Sequence, residues 1–223
     1  MENDSHDSVH LVHCVHDVHQ VHKLAAMDKT ELRKKYLEAR RALSPQDAAD
    51  RSAAVIERLE SLAAFKRARA VLSYVSSKDN EVDTHSLIGR MLNKGRTVLV
   101  PIAQPDRAME WSKLETLDEL APGRFGILEP RMESRRLMAP PPDSIVIVPG
   151  VAFTTDGHRI GYGGGYFDRF LASYKGTSIG VAFDLQIMEP IEMLTHDIPV
   201  DLVVTESHVY PRSNAVLPPS QSQ

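Results

Sequence analysis

A cluster of glycines is the segment of this sequence with the clearest chemical potential. Four glycines fall within five positions, at Gly161, Gly163, Gly164 and Gly165. Glycine permits positive φ and close approach to the backbone, so successive N–H groups can converge on an anion. A helix predicted to start near Tyr166 would add unpaired N–H groups at the same point. The pattern predicts a phosphate-binding loop, because an ordinary strand-to-helix connection of about 2–6 residues needs fewer glycines.

Two charged residues flank this loop. Arg159 stands two positions before the first glycine, and its permanently charged, planar guanidinium matches the geometry of phosphate oxygens. Asp168 falls in the first turn of the predicted helix, where a carboxylate either caps the helix or holds Mg²⁺ through an oxygen. The residues alone leave both roles open. The segment matches neither the G-x-x-x-x-G-K-[ST] loop nor the dinucleotide fingerprint, because Tyr166 occupies the position of that fingerprint's third glycine.

A basic pair near the start of the chain could reach the same phosphates. The segment Asp28-Lys29-Thr30-Glu31 has the pattern of a capping box, which predicts that a helix starts here. Lys29 and Arg33 are four residues apart and therefore share one face of that helix. An ordinary solvated basic face is the alternative, and the spacing alone favours it.

Short apolar segments rich in β-branched residues alternate with helical stretches along the rest of the chain. Ser44-Pro45 begins a second helix, since proline is favoured at the first helical position. A further helix is predicted over 84–93, with Gly95 as the C-cap residue that stops it. Strands are predicted over 70–75, 97–102, 109–114, 144–148, 178–183 and 202–205. This alternation predicts an α/β fold with parallel β-α-β connections.

The composition excludes several classes of protein. With 223 residues and a formal charge of -4, the chain has no general basic field that would bind nucleic acid or an anionic membrane. No apolar stretch approaches the roughly 20 residues of a membrane helix. The single cysteine, Cys14, rules out an intrachain disulfide framework and fits a reducing compartment. A cytoplasmic protein is therefore expected.

The two ends of the chain differ in composition from its middle. Residues 1–26 contain six of the ten histidines, in a Val-His-x-x pattern. Histidines three apart could bind a metal, but we favour a disordered leader because chain termini are usually loose. Residues 211–223 are rich in proline and serine and are expected to form a disordered tail. A single domain is therefore predicted over 27–210.

A longer motif around the glycines resembles a known family. Gly157-His-Arg-Ile-Gly-Tyr-Gly-Gly-Gly-Tyr-Phe-Asp168 closely resembles the G-x-R-[LI]-G-x-G-x-G-Y-Y-D signature of the 5-formyltetrahydrofolate cyclo-ligases, or 5,10-methenyltetrahydrofolate synthetases. The resemblance runs from 28 to about 209 and includes Lys29-x-x-x-Arg33, the segment around Glu81, Phe125-Gly-Ile-Leu-Glu-Pro130 and His196-Asp197. Phe167 stands where the signature has its second tyrosine, which argues against an essential role for that hydroxyl in this chain.

The resemblance implies an ATP- and Mg²⁺-dependent enzyme. ATP would phosphorylate the formyl oxygen of 5-formyltetrahydrofolate, N10 would attack the activated carbon, and ADP and phosphate would be released with 5,10-methenyltetrahydrofolate. The resemblance also implies a single three-layer α/β domain with a central, largely parallel sheet, like that of sugar-phosphate isomerases and CoA-transferases. A reduced folate is the expected small-molecule partner, with no obligate protein partner.

Carried onto this sequence, the family's site residues fall into three groups. The ATP contacts are Lys29, Arg33, Arg159, Ile160, Gly161, Tyr162, Gly163, Gly164, Gly165, Tyr166 and Phe167, with Arg159 also catalytic. The folate contacts are Ser76, Glu81, Tyr162 and Tyr166, and the Mg²⁺ ligands are Asp168 and Asp197. Glu81 is expected to accept paired N–H donors from the pterin, and the tyrosine rings to stack on it or border it. Replacing Arg159 with alanine is expected to reduce turnover strongly and to leave the fold intact.

Two other functions fit parts of the pattern. A sugar-phosphate isomerase or CoA-transferase-like activity on a similar scaffold would not need ATP. A non-catalytic folate-binding protein would keep the pocket but never hydrolyse ATP. The combination of Asp168, Asp197 and Arg159 argues against the second, because binding alone needs no metal ligands.

Overall fold

The computed structural model describes residues 28–212, within which there are five α-helices and twelve β-strands. The helices are α1 (Lys29–Arg41), α2 (Pro45–Ser61), α3 (Ala63–Arg67), α4 (His85–Asn93) and α5 (Tyr166–Leu171). The strands are β1 (Ala70–Ser73), β2 (Thr97–Ala103), β3 (Met109–Leu114), β4 (Leu120–Pro122), β5 (Leu128–Pro130), β6 (Ile145–Val148), β7 (Ala152–Thr154), β8 (Arg159–Ile160), β9 (Thr177–Val181), β10 (Ile187–Met188), β11 (Leu202–Val204) and β12 (Val209–Pro211). The leader predicted over 1–26 lies outside the described residues. None of the helices in 28–212 has the length and apolar character needed to cross a membrane.

Seven strands form the main sheet, in the order β12-β11-β9-β6-β1-β2-β3. The five inner strands run parallel, and β3 and β12 pair antiparallel at the two edges. At the centre, Leu72 of β1 lies opposite Leu99 of β2 and Val146 of β6. The prediction of a largely parallel sheet is confirmed.

Helices cover both faces of this sheet. Val71 and Ile145 pack with buried residues of α2, α3 and α4. The next residues along the same strands, Leu72 and Val146, pack on the opposite side in a cluster that includes Leu171 of α5. Because side chains alternate along a strand, neighbouring residues serve different layers. The domain therefore has the three layers that were predicted.

Helix α1 packs against a small second sheet, formed by β10, β7 and β8. Its start is fixed by the predicted capping box, in which the Asp28 carboxylate accepts two first-turn N–H groups. Leu32 and Tyr36 then pack on Val151 and Ile160. The sequence did not predict this second sheet, because strands of two or three residues are too short to produce an alternating pattern.

Several predicted boundaries shift by one or two residues. The strand predicted over 70–75 ends at Ser73, and the one predicted over 178–183 ends at Val181, although the residues that follow are still buried. Apolar composition continues beyond the last paired residue, so it overestimates strand length. At the other end of the domain, β12 ends at Pro211, and Arg212 Nη2 lies 3.3 Å from Asp201 Oδ1.

The carboxyl ends of β1, β2 and β6 lie along one edge of the main sheet. The segment 74–84 follows β1, Gln104 follows β2, and 149–165, which includes the β7–β8 hairpin, follows β6. In open α/β sheets, ligands bind at this edge. The predicted site residues belong mainly to these segments.

Candidate active site

The loop between β8 and α5 has a conformation that few residues other than glycine adopt. Gly163 has φ +98°, and Gly165, the N-cap of α5, has φ +70°. Gly164 lies so close to Tyr166 that a Cβ would come within 2.9 Å of the ring. Helix α5 begins at Tyr166 as predicted, but it has six residues and contributes a smaller dipole than a longer helix would. The glycines, rather than the helix, therefore define the shape of this loop.

Gly157 closes the β7–β8 hairpin that leads into the loop, and its substitution tests the fold. It has φ +92°, and a Cβ would lie 2.3 Å from the carbonyl oxygen of Val200. We expect Gly157→Ala to lower the free energy of unfolding by at least about 2 kcal/mol, because the energy of placing alanine at this positive φ adds to the energy of the clash with Val200. Gly161→Ala is the matched control in urea denaturation, since no atom lies within 4 Å of its Cβ position, and a change within about 0.5 kcal/mol is expected. Equal losses in the two variants would contradict this account.

Arg159 and Asp168 form an ion pair at the foot of the loop. Arg159 Nη2 lies 2.8 Å from Asp168 Oδ1, and Nη1 donates to the carbonyl of Ile198 at 2.6 Å. The Arg159 side chain is only 4% exposed. Burial lowers the pKa of Arg159, and the charges of Asp168 and Asp197 oppose this effect. Burial also adds a stability cost to Arg159→Ala that the sequence did not reveal.

Helix α1 brings two further cations to the loop. Lys29 Nζ contacts Asp197 Oδ2, which also accepts the N–H of Leu194 at 2.7 Å. Burial alone would raise the pKa of Asp197, but these two hydrogen bonds and the charge of Lys29 hold it below its ordinary value. Arg33 Nε donates to the carbonyl of Gly161 at 2.7 Å. Both cations therefore lie against the site, and the alternative of a solvated basic face is wrong.

Asp168 and Asp197 bring two carboxylates to the neighbourhood of Arg159, whose pKa responds to both. The hydrogen bonds to Asp168 fall on Oδ1 and those to Asp197 on Oδ2, so each carboxylate keeps a second oxygen available. Such hard oxygens fit Mg²⁺, which binds through one or two carboxylates with waters and substrate phosphates. Within residues 28–212, no three or more His, Cys, Asp or Glu side chains are grouped so as to hold a metal ion. These two carboxylates therefore suit a Mg²⁺ ion that is also bound by the phosphates of a substrate.

Tyr162 links the loop to the turn that follows β1. Its hydroxyl accepts a hydrogen bond from Arg40 Nη2 and donates to Asp79 Oδ2 at 3.0 Å. Burial and the negative charge of Glu81 raise the pKa of Tyr162, so the hydroxyl stays protonated. Lys78 Nζ lies 4.5 Å from the centre of the Tyr162 ring. A pterin that stacks on this ring face would have to displace the lysine.

The remaining side chains of the run anchor the loop to the domain. The Tyr166 hydroxyl donates to the carbonyl of Gln104 at 3.1 Å. Phe167 packs against the cores on both faces of the main sheet. Ile160 is 2% exposed and belongs to the cluster between α1 and the small sheet. Any contact between Ile160 and a nucleotide would therefore involve its backbone.

The predicted folate residues lie in the segment after β1. Ser76 is buried, and its hydroxyl donates to Asp83 Oδ1 at 2.9 Å and accepts the N–H of Thr84 at 3.1 Å. The Ser76 hydroxyl is therefore already engaged in hydrogen bonds within the protein. Glu81 accepts one backbone N–H of its own turn. Burial raises the pKa of Glu81, and the charge of Arg40 partly offsets this.

His85 and Asp83 form a pH-sensitive pair beside Ser76. His85 Nδ1 lies 2.9 Å from Asp83 Oδ1. The hydrogen bond from His85 lowers the pKa of Asp83 to about 2, and the same contact raises the pKa of His85 above 6.5. A raised pKa adds stability that is fully present below the unfolded-state pKa and is lost as pH rises through the folded-state pKa.

We therefore expect His85→Gln to destabilise the protein more in acid than in base. The expected loss is up to about 1 kcal/mol near pH 5.5 and smaller near pH 8.5, because the pair is partly solvated. The Asp83 carboxylate is ionised at both values, since its pKa is about 2. Urea denaturation of the wild type and the variant at the two pH values measures the difference. A pH-independent loss would show that His85 acts only through packing.

Arg40 is the residue of the site that the sequence analysis missed. It is 1% exposed, and its Nε donates to the carbonyl of Asp79 at 2.6 Å. Nη1 donates to the carbonyl of Gly150 at 3.1 Å, and Nη2 binds the Tyr162 hydroxyl. A signal was available, because Arg40 follows Tyr36 by four residues on the apolar stripe of α1. A charged residue is rarely buried on such a stripe unless it is paired.

Comparison with known proteins identifies the family. The model of the 5-formyltetrahydrofolate cyclo-ligase family matches residues 25–206. The chain belongs to this family. The 5-formyltetrahydrofolate cyclo-ligase of Escherichia coli (strain K12) is 32% identical over 178 residues, which cover 78% of this chain and 97% of the relative. The probable 5-formyltetrahydrofolate cyclo-ligase of Schizosaccharomyces pombe is 30% identical over 173 residues, or 71% of this chain and 85% of the relative.

A solved structure agrees with this cyclo-ligase in fold. The NMR structure of Aquifex aeolicus 5,10-methenyltetrahydrofolate synthetase has a TM-score of 0.74 and 35% sequence identity, and the match covers 87% of this chain and 98% of that one. The predicted fold class and enzyme class are thus confirmed. Three contacts join the glycine loop to both acids and three cations: Lys29 with Asp197, Arg33 with Gly161 and Arg159 with Asp168.

Proposed function

We propose that the protein converts 5-formyltetrahydrofolate to 5,10-methenyltetrahydrofolate in a reaction that consumes ATP and requires Mg²⁺. The formyl oxygen attacks the γ-phosphorus of ATP, and ADP leaves. N10 of the folate then attacks the formyl carbon and loses its proton. The bond between that carbon and the phosphorylated oxygen breaks, so phosphate leaves with the former formyl oxygen.

The observation that carries this proposal is the convergence of distant segments on the glycine loop. Lys29 contacts Asp197 and Arg159 contacts Asp168, and the charge of Arg159 interacts with both carboxylates. Arg33 binds the loop itself. Phosphoryl transfer asks a protein mainly for positioning and for neutralisation of charge, because little covalent chemistry falls to its side chains. Cations and metal-binding acids around an N–H-rich loop meet that need.

The chemistry of the folate explains why ATP is consumed. A formamide carbon is a poor electrophile, and its oxygen is a poor leaving group until it is phosphorylated. An active site that only brought N10 close to the formyl carbon would supply proximity but no leaving group. The glycine loop and the turn that carries Glu81 must therefore present their ligands to each other.

The charged residues take separate roles in this scheme. Arg159 stabilises the charge on the transferring phosphoryl group, with its guanidinium oriented by the ion pair to Asp168 and the carbonyl of Ile198. Lys29 and Arg33 neutralise the remaining phosphate charge from α1. Asp168 and Asp197 would hold Mg²⁺, which supplies further neutralisation of phosphate oxygens when it is bound.

The folate side of the site rests on Glu81 and Tyr162. Glu81 offers a carboxylate to the N–H donors of the pterin edge, and its partly buried position strengthens those hydrogen bonds. The Tyr162 ring borders the pterin, with its hydroxyl held between Arg40 and Asp79. The buried hydroxyl of Ser76 shapes the turn through Asp83 and is less available to a ligand.

An omission assay tests the proposal. The purified protein is mixed with 5-formyltetrahydrofolate, ATP and Mg²⁺, and the near-ultraviolet absorbance of methenyltetrahydrofolate is followed while each component is left out in turn. Product that needs all three components is expected. Folate binding without product would indicate a binding protein, and product without ATP would contradict the phosphorylation step.

A further inference from the structure

Helix α1 contacts the glycine loop and the folate turn at opposite ends. Its first turns hold the loop through Arg33 and the carbonyl of Gly161, 2.7 Å apart. Its last turn holds the segment 78–81, here called the folate turn, through Arg40. The guanidinium of Arg40 also binds the Tyr162 hydroxyl, which lies on the loop. A single buried side chain therefore joins the two segments that are proposed to bind different substrates.

The folate turn depends on contacts with α1 for its conformation. Asp79 and Asn80 have φ of +56° and +50°, a left-handed region that is uncommon for residues other than glycine, although aspartate and asparagine enter it more readily than most. Asn80 Nδ2 donates to the carbonyl of Arg40 in the last turn of α1 and to that of Leu43, two residues beyond the helix, at 3.1 Å in each case. Arg41 Nε lies 2.7 Å from Asp79 Oδ1. Strained consecutive residues persist only where their surroundings hold them, so the turn follows the position of α1.

Every donor nitrogen of the Arg40 guanidinium has a hydrogen-bond acceptor. Its three donor nitrogens reach the carbonyls of Asp79 and Gly150 and the hydroxyl of Tyr162. The Tyr162 hydroxyl in turn donates to the Asp79 carboxylate. Gly150 lies directly ahead of the hairpin that carries the loop, and the Gln186 amide also donates to its carbonyl, at 3.0 Å. A shift of either segment would leave a buried guanidinium with unpaired donors, which is costly.

We infer that Arg40 is a positioning residue that couples the folate turn to the glycine loop. A ligand bound to one of these segments then strengthens the binding of a ligand to the other. This inference rests on the proposed function for the identity of the two ligands. A ligand that holds one segment in its binding position also holds the other through Arg40, so the second ligand meets a site that is already in place. Coupling of this kind is reciprocal and typically amounts to roughly 5–150-fold in affinity.

The test compares two variants that break the link in different ways. Tyr162→Phe removes only the bridging hydroxyl, from a residue that is 38% exposed. Arg40→Lys keeps the charge but cannot reach three separated acceptors. Arg96→Lys is the matched control, because Arg96 also holds two backbone carbonyls, of Phe65 and Ala68, and covers the Phe65 ring. Arg96 precedes β2, at the opposite edge of the sheet from the site.

Calorimetric titration gives the coupling directly. The Kd of 5-formyltetrahydrofolate is measured with and without a non-hydrolysable ATP analogue and Mg²⁺. The wild type and Arg96→Lys are expected to bind folate about fivefold or more tightly with the analogue, and Tyr162→Phe and Arg40→Lys to show a ratio near one. The same coupling in folded Tyr162→Phe and Arg40→Lys as in the wild type would overturn the inference.

Hydrogen exchange without any ligand separates this inference from the proposed function. Removing the Tyr162 hydroxyl is expected to raise amide exchange roughly tenfold in both 161–165 and 78–81, although the substitution lies in only one of them. Arg96→Lys should leave both segments unchanged. Faster exchange confined to 161–165 would refute the coupling, whatever the omission assay shows. Linked exchange in a protein that makes no product would instead refute the proposed reaction and keep the link.

Discussion

Replacing Arg159 with alanine is expected to lower kcat by roughly a thousandfold, the size of effect seen when a preorganised donor to transition-state charge is removed. The guanidinium is buried at the foot of the glycine loop, with its fork fixed by Asp168 and Ile198. A fixed charge in a site from which water is excluded acts more strongly than the same charge in solvent. Initial rates at saturating ATP, Mg²⁺ and folate measure the loss.

Two further variants decide whether the loss is specific. Arg159→Lys keeps the positive charge but loses the planar fork, so kcat should fall by about ten- to a hundredfold. Arg169→Ala is the matched control, because Arg169 is exposed on α5 and donates to the carbonyl of Asp106 at 2.8 Å. Its kcat should stay within about twofold of the wild type. Equal effects of Arg159→Ala and Arg169→Ala would rule out the proposed role of Arg159.

The stability of Arg159→Ala has to be measured alongside its activity. Substitution removes both hydrogen bonds of the guanidinium and leaves the Asp168 carboxylate without its cation. That carboxylate is 27% exposed and stays partly solvated, so a loss of about 1–3 kcal/mol is expected rather than unfolding. Circular dichroism at the assay temperature establishes that the variant is folded when its rate is recorded.

Asp168→Asn should lower kcat by roughly a hundredfold and raise the Mg²⁺ concentration needed for half-maximal rate. Asparagine has nearly the same size and retains an oxygen that can accept the N–H of Ile198, which lies 3.3 Å from Oδ1 in the wild type. The substitution removes the negative charge that would hold the cation. It also removes the carboxylate that Arg159 contacts directly and leaves only the more distant charge of Asp197, so stability is measured as for the arginine variant.

A Mg²⁺ titration of the initial rate provides the comparison for this variant. Asp143→Asn serves as the control, since Asp143 is exposed and pairs with Arg69 at 2.8 Å, outside the site. That variant should titrate like the wild type. An unchanged Mg²⁺ requirement in Asp168→Asn would show that Asp168 acts through its contacts with Arg159 and Ile198 and not as a metal ligand.

The main sheet and the glycine loop could be predicted because each leaves a local pattern. The strand beginning at Thr97 shows a β-branched apolar segment, and the helix before it ends at Asn93, two residues ahead of Gly95, which has φ +69°. Gly163 and Gly165 were singled out because glycine tolerates the left-handed conformations that they adopt. Local composition is therefore sufficient to predict an element when the residue types directly reflect the backbone conformation of that element.

The contacts across the site could not be predicted, because they join residues far apart in the chain. The Lys29–Asp197 pair spans 168 positions, and the Arg40–Tyr162 pair spans 122. The residue types of Asp79 and Asn80 tolerate the left-handed conformation, but the contacts with α1 that hold this turn come from distant parts of the chain. Spacing alone favoured a solvated face for Lys29, whereas tertiary packing turns that face toward the loop.

The fate of the formyl oxygen tests the central claim most directly. 5-Formyltetrahydrofolate labelled with oxygen-18 in the formyl group is converted by the enzyme with unlabelled ATP and Mg²⁺, and the released phosphate is analysed by mass spectrometry. Phosphorylation of the formyl oxygen predicts one labelled oxygen in each phosphate formed. Unlabelled phosphate, with the label released in water instead, would contradict the mechanism even if methenyltetrahydrofolate were produced.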